Sequence, residues 1–147
     1  MIKAKKDALK KYFGYETFHP LQSEIIDHVL AGKHALVLMP TGGGKSVCFQ
    51  IPAMLKTGVA IVISPLIALM KDQVDGLRAN GIPAAFLNSA LSDEQSAAII
   101  RQCLKGDIKL LYISPERLAA ASTIGFLQKL NIALFAVDEA HCLSSWG

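Results

Sequence analysis

Cysteine is scarce in this 147-residue chain: Cys48, Cys103 and Cys142 are odd in number and widely spaced. No pair has the spacing of a zinc knuckle or a redox motif, so reduced, mostly buried thiols are expected. Long apolar runs are lacking as well. The most apolar stretch, Val59 to Met70, is broken by Ser64-Pro65 and falls short of the about 20 residues that cross a bilayer. The first residues, Met1 to Asp7, are charged with no apolar run behind them, which argues against a signal peptide. Charge of either sign is modest: charged residues make up 18% and the formal net charge is +3. That balance is compatible with a polyanionic partner and too mild to identify one. There are no internal repeats and no low-complexity linkers. What is abundant is apolar: 52% of residues, enough for a substantial core in one domain-sized chain.

The apolar residues are patterned. Ile2 to Phe13 reads as a short basic helix that Gly14 stops. Pro20 suits the first turn of a second helix and Gly32 its end. On that helix Leu21, Ile25, Ile26, Val29 and Leu30 share a face, and the same spacing places Gln22 on the apolar side. Such an amide either bonds to nearby backbone or is aimed at a ligand such as a nucleobase edge. Further along, strands at Val59 to Ile63, Ala84 to Leu87, Ile108 to Ile113 and Ile132 to Val137 alternate with helices. The helices run from Pro65 to about Asn80, from Ser92 (with Gln95, a capping box) to about Lys105, and from Ile124 to Leu130, and Ser114-Pro115-Glu116-Arg117 opens a further short one. Leu66, Leu69, Met70, Val74 and Leu77 form the expected core face of the first of these. Strands alternating with helices predict a parallel α/β sheet. Ligands then bind at the carboxyl ends of the strands, so Ser64-Pro65, Asn88-Ser89, Ser114-Pro115 and Asp138-Glu139 are expected on one rim.

One loop stands out chemically. Ala35 to Leu38 reads as a further buried strand, Thr41-Gly42-Gly43-Gly44-Lys45-Ser46 follows Met39-Pro40, and Val47 to Ile51 continues as a helix. Glycines let backbone N–H groups turn toward an anion, and a helix N-terminus adds unpaired donors and partial positive charge. Lys45 would reach the β- and γ-phosphates of a nucleotide, and the Ser46 hydroxyl would ligate Mg²⁺. Met39 stands where the general phosphate-loop pattern has its first glycine; the alternative is a plain glycine turn before a helix. The second element is the apolar strand Ile132 to Val137 ending in Asp138-Glu139. One carboxylate there can hold Mg²⁺ and its neighbour can orient and deprotonate a water, whereas a solvated acidic strand end is the bland alternative. Together the two elements point to Mg²⁺-dependent nucleoside triphosphate hydrolysis.

At Asp138-Glu139-Ala140-His141 the chain resembles the first motor domain of a superfamily 2 helicase, and specifically of the RecQ family of DNA helicases. Tyr12 to Tyr15 with Phe18-His19-Pro20-Leu21-Gln22 resembles the family's nucleotide-recognition motif. Met39 to Ser46 resembles motif I, Ser64 to Val74 motif Ia, and Asp138 to Gly147 motif II running into an aromatic-rich loop. Tyr112 to Leu118 is a further family segment. The resemblance implies a parallel-sheet P-loop NTPase (RecA-like) fold, incomplete and preceded by N-terminal helices: residues 1–32 carry nucleotide recognition and 33–147 part of the first ATP-binding domain.

It also implies roles. Gln22 would read the adenine edge, Tyr15 would help hold the base, and His19, where the family usually has Arg, would stack on it. Thr41, Gly42, Gly43, Gly44, Lys45 and Ser46 would cradle the phosphates. Lys45, Asp138 and Glu139 would be catalytic, and His141 would couple the nucleotide site to DNA. Trp146 would belong to a loop that senses single-stranded DNA, or else be a core or interface residue. Ser64, Lys71 and Ser114 would meet DNA phosphates; the alternatives are helix caps and a solvated lysine. The implied partners are single-stranded and partly duplex DNA and no membrane, in the cytoplasm and with the nucleoid in a bacterium. The implied activity is ATP-dependent 3′-to-5′ unwinding in recombination and repair. An RNA helicase, another nucleic-acid translocase, or a non-catalytic remnant are the competing readings. Motif III and the second motor domain are expected to lie outside this chain, whose sheet would then have unpaired edges.

Overall fold

The structure, a computed structural model, describes residues 2–18, 21–32 and 47–137. The chain divides into two compact units, Met1–Lys56 and Thr57–Gly147. In the first, helix α1 (Ile2–Phe13) presents one face on which Lys5, Ala8 and Leu9 are buried and Tyr12 partly so. That is the i, i+3, i+4, i+7 spacing of a helix stripe. Gly14 ends the helix at φ +76°, its N–H donating to the Lys10 carbonyl at 3.0 Å. Helix α2 (Gln22–Leu30) buries Gln22 and Ile26. Helix α3 (Val47–Leu55) brings Ile51 against Ala8, Leu9 and Ile26, with Phe13, Phe18, Leu30 and Val47 around them. This packing groups α3 with the N-terminal helices.

The second unit is built on four parallel strands, β1 (Val59–Ile63), β2 (Ala84–Leu87), β3 (Leu110–Ile113) and β4 (Ile132–Val137), in the order β2-β3-β1-β4. Val59 and Ile61, Ala85 and Leu87, and Leu111 and Ile113 point to one face. There they pack with Cys103 of α5 (Asp93–Leu104) and Phe126 and Leu127 of α7 (Ala121–Leu127). The alternate residues Ala60, Val62, Leu110 and Tyr112 are buried too. Burial on both faces is why these strands read as unbroken β-branched and aliphatic runs. Each fully buried Val, Leu or Ile among them contributes about 1.5–3 kcal/mol of transfer free energy. Helix α4 (Ile67–Ala79) and α5 each pack against β2, and the short α6 (Pro115–Leu118) precedes α7.

The parallel α/β sheet expected from the alternation is therefore present. Three local expectations need correction. The helix expected from Pro65 begins at Ile67, so Leu66 is its N-cap and lies outside the stripe; Met70, Val74 and Leu77 form the buried face and Leu69, about 100° round the helix from Met70, is exposed. The helix expected at Ile124 begins at Ala121. Leu21 is 62% exposed, because it sits before α2 at φ +72° instead of on the helix face. The expected strand Ala35 to Leu38 lies outside the described residues. Cys48 and Cys103 are free and buried, as the thiol pattern predicts.

Candidate functional site

Strand register builds the rim. Leu87, Ile113, Ile63 and Val137, the last residues of β2, β3, β1 and β4, are partners across the sheet. The ladder continues one step: the Ser64 N–H donates to the Ile113 carbonyl at 3.1 Å and the Ser114 N–H to that of Leu87 at 3.2 Å. Asn88, Ser114 and Ser64 consequently line up at the carboxyl end of the sheet, where a parallel sheet takes its ligands. Asp138 is the next residue in sequence after β4.

All three rim side chains are buried. The Ser64 hydroxyl accepts the Leu66 N–H at 3.3 Å. Asn88 accepts the Ala90 N–H on Oδ1 at 2.8 Å and donates from Nδ2 to the Met70 sulfur at 3.4 Å, tying the rim to α4. The Ser114 hydroxyl finds no hydrogen-bond partner among the described residues. A buried orphan hydroxyl costs about 1–3 kcal/mol, so this group is the one most ready to take an incoming oxygen. A DNA phosphate would reach Ser64 or Ser114 only if the rim opened. Lys71 is different: it is exposed on α4 and paired with Asp75, one turn on, at 2.7 Å. That hydrogen bond, reinforced by the Asp75 charge, raises its pKa, so it is a full cation at neutral pH.

In the first unit, Tyr15 follows the end of α1 with 60% of its surface exposed, so its ring is open to stacking. Gln22, by contrast, is 2% exposed at the first turn of α2, on the apolar side as its spacing predicts, and it is not without a partner. Reading the sequence missed Lys5, which is buried beside α2 through a salt bridge to Asp27 at 2.7 Å. The signal was available: Lys5 shares the helix stripe of Ala8, Leu9 and Tyr12. His19, Thr41, Gly42, Gly43, Gly44, Lys45, Ser46, Asp138, Glu139, His141 and Trp146 lie outside the described residues. Among the described residues no group of His, Cys, Asp and Glu could hold a metal ion, and no helix is long and apolar enough to cross a membrane.

A family model described as DEAD/DEAH box helicase matches residues 19–147. The chain belongs to the DEAD/DEAH box helicase family. Within the family it is 50% identical over 95% of its length to the ATP-dependent DNA helicase RecQ of Haemophilus influenzae, covering 22% of that protein. Against the Bacillus subtilis protein of the same name it is 48% identical over its whole length, covering 25%. The RecQ-like DNA helicase BLM of Xenopus laevis is 43% identical over 93% of the chain, which covers 11% of it. The chain spans between 22% and 30% of the first four relatives. Among solved structures, a hypothetical ATP-dependent RNA helicase from Sulfolobus tokodaii superposes with a TM-score of 0.72 over 99% of this chain and 43% of that one. At 22% identity that likeness shows the helicase motor-domain fold, of which this chain is a part.

Proposed function

We propose that this chain is the nucleotide-binding part of the first motor domain of a RecQ-type helicase, which couples ATP hydrolysis to 3′-to-5′ unwinding of DNA in recombination and repair. The observation that carries the reading is the near-full-length identity, 48–50%, to proteins named ATP-dependent DNA helicase RecQ. The Gly44-Lys45-Ser46 loop and the Asp138-Glu139 pair supply the chemistry. Lys45 holds the β- and γ-phosphates, and Glu139 orients a water in line with the γ-phosphorus and accepts its proton. The hydroxyl of Ser46 and the carboxylate of Asp138 are hard oxygen donors, the set that suits Mg²⁺. Bound there, the ion would neutralise charge on the phosphate oxygens. Tyr15, His19 and Gln22 hold and read the base. Lys71 and Trp146 meet single-stranded or partly duplex DNA, Ser64 and Ser114 join them when the rim opens, and His141 links the two sites. The place of action is the cytoplasm. Unwinding belongs to a protein with a second motor domain, and the 147-residue chain alone binds nucleotide weakly at best and unwinds nothing.

Calorimetry with MgATP tests the reading. The chain should bind, and Lys45→Ala should weaken binding at least about tenfold, since a charge-assisted phosphate contact is lost. A folded chain that binds no MgATP, or a Lys45→Ala chain that binds unchanged, would sink it. In the longer protein Glu139→Gln should bind ATP normally and lose turnover.

A further inference from the structure

We infer that Lys5 is a positioning residue for nucleobase selection: it pins the first turn of α2, which carries Gln22. The inference rests on the reading of Gln22 as the group that reads the base edge.

A lysine on the buried stripe of α1 is expensive unless every donor is matched. Here the match is complete and points to one place. Lys5 Nζ lies 2.7 Å from both carboxylate oxygens of Asp27 and 2.5 Å from the Ser23 hydroxyl, and 3.5 Å from the Ser23 carbonyl. It also lies 6.0 Å from the centre of the Phe18 ring. Ser23 follows Gln22 directly, so the ammonium group holds the chain beside the amide, while the Phe18 ring lies only at the edge of cation–π range. Ser23 and Asp27 are one helical turn apart and present one face to it. The start of α2 has no side-chain cap: its N-cap is Leu21, with a left-handed backbone, φ 72° and ψ −17°. Residues with short polar side chains normally hold such a start. The Lys5 ammonium thus adds a tether from another helix to an uncapped helix start. An amide that distinguishes purine edges must be placed to within about 0.5 Å, which is what a buried, fully used tether provides.

The test measures the affinities of the whole 147-residue chain for MgATP and MgGTP by calorimetry, with a thermal melt for each variant. Lys5→Met keeps the stem and removes the charge. It should stay folded and lose about tenfold of the ATP-over-GTP preference, as Gln22→Ala does, with the double substitution losing no more than either. Lys5→Arg should restore part of the preference. If Lys5→Met fails to fold, Asp27→Asn, at a half-exposed position, is judged by the same preference. An unchanged preference in these variants, or an equal loss of affinity for both nucleotides, while Gln22→Ala does lose the preference, overturns the role of Lys5 alone. A Gln22→Ala chain with the preference intact, or an unsubstituted chain that binds neither nucleotide, overturns the base-reading assignment and this inference with it.

Discussion

Leu21 holds a backbone conformation that L residues with side chains avoid, at φ +72°. Its side chain is mostly in solvent, so replacing it loses little packing. Leu21→Gly should therefore raise stability by about 1 kcal/mol, the strain relieved less the extra entropy of glycine in the unfolded chain. A higher urea midpoint with an unchanged slope is the expected reading. Helical periodicity placed Leu21 on the core face and Gln22 beside it; only Gln22 is there, since periodicity presumes helical dihedrals that Leu21 does not have. Cys103 offers a second check at this scale. Burial pushes its thiol up from 9.0 to about 11. The folded chain keeps that proton in a window where the unfolded chain has released it. This contribution is thus complete below about pH 9 and is lost as pH rises toward 11. Comparing urea midpoints at either end of the window, Cys103→Ala should fall less than the unsubstituted chain.

Helix α5 was legible to the residue at its start because its signal is local. Ser92 accepts the Gln95 N–H at 3.1 Å, and the Gln95 side chain takes the Ser92 N–H at 2.9 Å. Ser92→Ala should cost about 1 kcal/mol, read as a lowered melting temperature. Helix α7 was misplaced by three residues because Ala120, its N-cap, makes no side-chain cap and leaves nothing to read. The entry to β1 was invisible for another reason: it depends on a partner distant in sequence. Gly58 has φ +96°, and a Cβ there would collide with the carbonyl of Asn131, the same oxygen that accepts the Val59 N–H at 2.9 Å. Only glycine lets the lead-in to β1 come so close to the lead-in to β4. Gly58→Ala should cost about 3 kcal/mol, because the obstacle is backbone and cannot swing away. A melting temperature within a degree or two of the parent would refute that close approach.

Across the whole sheet, the convergence of strand ends on one rim could be anticipated, because parallel strands joined by helices must all finish on the same side. The strand order could not, since alternation fixes direction and leaves neighbours open. That missing information shows at β4. Ile132 to Val137 has the composition of a strand buried on both faces, like β1 and β3. In the structure it has β1 as its one strand neighbour among the described residues, and Phe135 is 59% exposed, with Val137 exposed beside it on the same face. Two large apolar side chains exposed on one face of a six-residue strand make a surface on which another chain can pack. Phe135→Lys places a charge on that strand at a position where little packing is lost. Light scattering of concentrated 147-residue chain should show weaker self-association for this variant, while the urea midpoint stays within about 0.5 kcal/mol of the parent. Should the midpoint instead collapse, Phe135 would be a packing residue, and the exposed face of β4 would not be the surface through which copies of the chain meet.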